Sequence, residues 1–143
     1  MTAEPFAIVL PAPNGQELAK LAGGKKGGIY RVGVGREIPD SVRHIALKSL
    51  SWQNDAGTYR ATVKIQSTSA KSVRVAIRLS EDVAGLTLKY RDTPESLDAS
   101  SLTGSDPHWS PVVMGDTVLI DLYAKSVVTT NAQIELLALS HIP

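Results

Sequence analysis

The sequence predicts an all-β domain, an antiparallel β-sandwich with jelly-roll-like topology and about eight strands behind a short N-terminal arm. Three observations carry this expectation. Apolar residues recur at a period of two in three successive segments: Tyr59, Ala61, Val63 and Ile65; then Val73, Val75, Ile77 and Leu79; then Leu86, Leu88 and Tyr90. Strands buried on both faces would read as continuous apolar runs, so this alternation describes antiparallel sheet with one dry and one wet face. Short turn signals separate the runs, and no long amphipathic helix competes with them.

Taken in order, residues 1–28 read as a flexible arm. Pro5, Pro11 and Pro13 favour an extended path, Gln16 to Leu21 is too short for a stable lone helix, and Ala22 to Gly28 is a glycine–lysine linker. That linker lacks the Gly-Lys-Ser/Thr ending of a phosphate-cradling loop. Residues 29–143 form the sandwich domain. Tyr30, Val32 and Val34 open it on one face, and Gly33 and Gly35 mark close packing or a bulge.

Ile45 to Gln53 reads as one strand with an irregularity near Ser49, and Asn54-Asp55-Ala56-Gly57 turns it into Thr58 to Gln66 as a hairpin. The strands from Val118 to Tyr123 and from Ile134 to Leu139 are expected to supply the second layer. Asp92 to Pro111 is long for a structureless loop, and a hidden strand near Leu102-Thr103 would account for its apolar residues. Pro107 and Pro111 remove two backbone donors and present Trp109 on a stiffened loop. Gly115-Asp116 then turns into the strand in which Val118, Ile120 and Leu122 face the core, with Thr117 and Asp121 facing away.

Composition bounds the function. A chain of 143 residues suits one domain. A net charge of +1 argues against a whole-molecule electrostatic nucleic-acid binder, although Arg60, Lys64, Arg74, Arg78, Lys89 and Arg91 solvate the polar strand faces. With no cysteine, disulfides, thiolate catalysis and cysteine-ligated metals are excluded. No apolar stretch approaches the roughly 20 residues of a membrane span.

Three short stretches carry a resemblance. Tyr30 to Arg36 with Ile38-Pro39, Arg74 to Ser80, and Trp109-Ser110-Pro111 followed by Gly115-Asp116-Thr117 are similar to the β-rich, non-catalytic region preceding the protease domain in secreted bacterial trypsin-like serine proteases of the lysyl endopeptidase type. The resemblance implies an accessory or pro-region domain that works by contact with a protease catalytic domain, in cis or in trans. It also implies a secreted or periplasmic location, with the export signal missing from this chain.

The residues themselves set this against other chemistry. His44, His108 and His141 are read as accessible surface histidines; no Gly-x-Ser-x-Gly elbow is present, and Thr103-Gly104-Ser105-Asp106 does not match the serine motif of such proteases, so the chain is expected not to be an enzyme. No cofactor is expected. Calcium at Asp92, Glu95, Asp98, Asp106 and Asp116 is the weaker reading, because their spacing fits no EF-hand. Trp109 is expected to be a buried plug over the sandwich end. The alternative is a carbohydrate-binding module, with Trp109 and Tyr123 as stacking platforms. The candidate binding residues are His108, Trp109, Tyr123 and Arg91, and the candidate contact loops are Glu81 to Gly85 and Asp92 to Pro111.

Overall fold

A computed structural model describes residues 6–11, 34–36, 38, 40–91, 93, 96–104 and 106–142. Among them run twelve strands: β1 (Phe6–Leu10), β2 (Val34–Arg36), β3 (His44–Ala46), β4 (Gln53–Asp55), β5 (Thr58–Ser67), β6 (Ser72–Leu79), β7 (Leu86–Tyr90), β8 (Ser96–Asp98), β9 (His108–Trp109), β10 (Val113–Met114), β11 (Thr117–Ala124) and β12 (Gln133–Ile142). One helical turn, Asp40–Arg43, precedes β3, and 3-10 turns occupy Leu47–Ser49 and Ala99–Leu102.

The strands form two six-stranded sheets, the sandwich that the alternation predicted. The first has the order β1-β5-β11-β7-β8, with β4 also on β5. The second has the order β10-β6-β12-β2, with β9 also on β6 and β3 also on β12. Side chains of alternating parity fill the space between them: Val63 and Ile65 from β5, Val75 and Ile77 from β6, Leu88 from β7, Ile120 and Leu122 from β11, and Ile134, Leu136 and Leu139 from β12 are all buried. Removing that apolar surface from water is the main favourable term in forming the sandwich.

Several expectations need correcting. The strands β5, β6 and β7 do not lie side by side: β6 belongs to the opposite sheet, and β11 sits between β5 and β7. Alternation reveals which face is buried but not which strand lies alongside, so the chain crosses between layers where a meander was equally compatible with the pattern. Ile45 to Gln53 is likewise not one strand. It passes from β3 in the second sheet to β4 in the first through the 3-10 turn, which buries Leu47 and Leu50 and receives the Trp52 indole N–H on the Leu47 carbonyl at 2.7 Å.

The β4–β5 hairpin is as expected, with Asp55 opposite Thr58. The long loop does hide strands, at β8 and β9, whereas Leu102 is buried on a 3-10 turn.

Residues 6–10, assigned by sequence to the arm, add a strand to the sheet. Phe6 lies opposite Val63 and Leu10 opposite Ser67 in parallel register, with Ile8 and Leu10 buried. A parallel partner so distant in sequence leaves no local hairpin signal. The glycine–lysine tract and the opening residues Tyr30 and Val32 lie outside the described residues.

One irregularity shapes the site. The register of β12 against β6 shifts between Leu136 and Ala138, so that inward-facing positions change from Ile134 and Leu136 to Leu139 and His141.

Candidate functional site

The edge of the second sheet is built by the Trp-Ser-Pro segment. Trp109 pairs with Ala76 and His108 with Ile77, and Val113 and Met114 then pair with Val73 and Ser72. Pro111 interrupts this edge, and Ser110 closes the gap. Its backbone N–H donates to the Val75 carbonyl at 2.8 Å, and its hydroxyl oxygen accepts the Val75 N–H at 3.0 Å. A serine side chain thus takes the acceptor's part in the ladder, which explains why Ser110 is buried.

Parity along this edge decides which ring goes inside. His108 shares the inward side of Ile77; its ring stacks on buried Tyr90 with centroids 5.9 Å apart, and the two side chains also make a 3.2 Å hydrogen bond between the phenolic oxygen and Nδ1. Trp109, the next residue, must face outward. It is 40% exposed and lies beneath the Arg74 guanidinium, 4.8 Å from the ring centroid. The buried plug expected at Trp109 is therefore not there; His108 takes the inward position. Val112 and Met114 continue the exposed apolar edge.

Arg91 and Tyr123 lie elsewhere, on the outer face of the first sheet. Arg91 donates from Nε and a terminal nitrogen to the two Asp121 oxygens at 3.0 and 2.7 Å, the Thr62 hydroxyl donates to the same carboxylate at 2.8 Å, and Arg60 stands 3.6 Å away. Burial pushes the Asp121 carboxyl up, but hydrogen bonds from Arg91 and Thr62 and the two guanidinium charges outweigh it and hold the group below its ordinary value. Arg60 also lies over the Tyr123 ring at 5.9 Å. The four candidate binding residues thus fall into two pairs on different sheets.

Asp116 accepts hydrogen bonds from the Thr117 hydroxyl and the Gln66 amide, which lower its carboxyl below the ordinary value. Among the described residues no group of three histidines or carboxylates is placed to hold a metal ion; Asp92 and Glu95 lie outside them.

Sequence reasoning missed a polar pair between the sheets. Ser67 continues the inward parity of Val63 and Ile65, His141 continues that of Leu139 past the bulge, and Ser67 Oγ lies 2.7 Å from His141 Nδ1. The parity of Ser67 was readable; that of His141 was not, because the bulge reverses it. His141 is buried rather than accessible, as is Ser67, at 1% and 0% exposure. Hydroxyl and imidazole at this distance have the form of a nucleophile and its base, but a pair so enclosed offers no approach to substrate.

At the far end of the sandwich, a cavity of about 340 Å³ is lined by Asp82 to Thr87, Asp98 to Ser100 and Lys125. It brings together parts of the two loops singled out as contact candidates.

A family model described as the lysyl endopeptidase N-terminal domain matches residues 9–143. A lysyl endopeptidase of Pseudomonas aeruginosa is 31% identical over an alignment of 125 residues that covers 80% of this chain and 27% of that protein. The chain therefore spans little more than a quarter of this curated relative. No solved structure matches. The Trp-Ser-Pro edge, the Gly-Asp-Thr turn and nearly the whole sandwich fall inside the matched region, and the chain belongs to the lysyl endopeptidase N-terminal domain family.

Proposed function

We propose that the chain is a non-catalytic accessory or pro-region domain of an exported trypsin-like serine protease and that it acts through protein contacts. One observation carries this reading: the match to a lysyl endopeptidase N-terminal domain takes in nearly the entire sandwich, while most of the protease relative lies outside it. The enclosed Ser67–His141 pair supports a non-catalytic role, since both groups are sealed between the sheets. The proposed location, secreted or periplasmic, follows from the same family. Among the described residues no helix is long and apolar enough to cross a membrane. Arg74 covers one face of Trp109, which weighs against a sugar-stacking platform there.

The test is turnover of a peptide ester by the protease portion of the Pseudomonas lysyl endopeptidase, with and without this chain, together with the yield of that portion on refolding. Inhibition or a raised refolding yield marks a pro-region, and binding without either marks a passive accessory. Ester hydrolysis by the chain alone, abolished by Ser67→Ala, would overturn the non-catalytic reading.

A further inference from the structure

The two outer faces of the sandwich differ in what they leave available. On the first sheet, Arg91 and Thr62 donate hydrogen bonds to Asp121, and Arg60 stands 3.6 Å from the same carboxylate, so both arginines there have an acidic partner. On the second, Trp109, Val112 and Met114 expose apolar surface within six residues of chain, at 40, 51 and 81% exposure. Arg74 borders them. It stacks on Trp109, its Nε has no hydrogen-bond acceptor, and no carboxylate among the described residues pairs with it, whereas Arg78 is held by Glu135. Exposed tryptophan and methionine beside an arginine without an ion pair have the composition of an interface centre.

The register shows what lies beside this patch. Met114 and Ile142 flank Ser72 from opposite sides, so β12 ends two strand spacings, about 10 Å, from the exposed methionine. In a protein whose N-terminal domain has this fold, polypeptide that follows the domain leaves next to this edge. The cavity lined by Asp82 and Lys125 lies toward the other end of the eight-residue strand β6, about 25 Å away. A tethered partner is most concentrated where its tether begins. Pro107 and Pro111 remove two backbone donors from the edge, which disfavours an added strand there and favours contact through side chains.

We propose that the β9–β10 edge, with Trp109, Val112 and Met114 as apolar anchors and Arg74 as the polar one, is the surface on which the protease portion of a lysyl endopeptidase docks. This rests on the protein-contact function proposed above. The test titrates the protease portion of the Pseudomonas enzyme with this chain and with Met114→Glu, Val112→Asp and Lys125→Glu variants, each first checked by thermal melting. All three positions are exposed, so the variants are expected to fold. The expected result is a dissociation constant raised about tenfold or more by Met114→Glu and by Val112→Asp, and unchanged within about twofold by Lys125→Glu. Association that neither edge variant weakens would overturn this assignment while leaving the contact function standing, and loss through Lys125→Glu alone would move the contact to the far end. Absence of association with the unsubstituted chain would overturn both.

Discussion

Asp121 is the residue whose environment most departs from its place in the sequence. It stands on the polar side of an alternating strand, yet it is 3% exposed because Thr62, Arg91 and Arg60 converge on it from β5 and from the end of β7. Asp121→Asn keeps the shape and removes the charge, and should cost about 1.5 to 3 kcal/mol at pH 7 in urea denaturation. The folded carboxyl titrates below its ordinary 3.8, so its contribution is complete above that value and is lost as pH falls through the lower, folded pKa. The gap between wild type and Asp121→Asn should therefore close in acid; a gap that stays constant down to about pH 2 would show that the charge is not what stabilises the site. For Trp109, partial exposure predicts that Trp109→Ala costs about 1 to 2 kcal/mol, against about 2 to 5 kcal/mol for Leu102→Ala at a buried position. Equal losses in the two denaturation midpoints would mean that Trp109 belongs to the core.

At the level of strands and turns, the β4–β5 hairpin closes through Ala56 and Gly57 with φ of 53° and 90°, and the Gly57 N–H donates to the Asn54 side chain at 3.0 Å. Two successive positive φ values suit asparagine followed by glycine better than alanine followed by glycine. Ala56→Asn should therefore raise stability by about 0.5 to 1 kcal/mol, read as a higher melting temperature. A lower melting temperature would contradict the turn geometry. The β1 strand offers a test of opposite sign. Ile8 is buried against the core while Ala7 is exposed, so Ile8→Asp should cost about 3 kcal/mol or more and Ala7→Asp nearly nothing. Equal melting of both variants would detach β1 from the sheet. The long strands were legible in the sequence because each alternates over five or more residues; β9 was not, since two residues flanked by prolines are too few to reveal a parity. That is why Trp109 was expected inside and His108 was read as accessible. Neither the parallel docking of β1 nor the reversal at the β12 bulge leaves a local pattern, and with them went the burial of Ile8, Leu10 and His141.

For the molecule as a whole, the two-sheet sandwich and the family were readable from alternation and from three short stretches, because both depend on patterns that survive within single strands. The assignment of strands to sheets was not, since β5, β6 and β7 each satisfy the same alternation whether the chain meanders or crosses between layers. Of the candidate site, the facing directions of His108 and Trp109, the stacked Arg74 and the partnering of Arg91 with Asp121 were not readable, because they arise from contacts between distant segments. What these surfaces do is decided most directly by calorimetric titration of the protease portion of the Pseudomonas lysyl endopeptidase with this chain. Saturable association with a dissociation constant near micromolar or tighter, about 8 kcal/mol of binding free energy, is the expected result. No association up to about millimolar, where only about 4 kcal/mol would be at stake, would contradict a domain that works by contact with its protease.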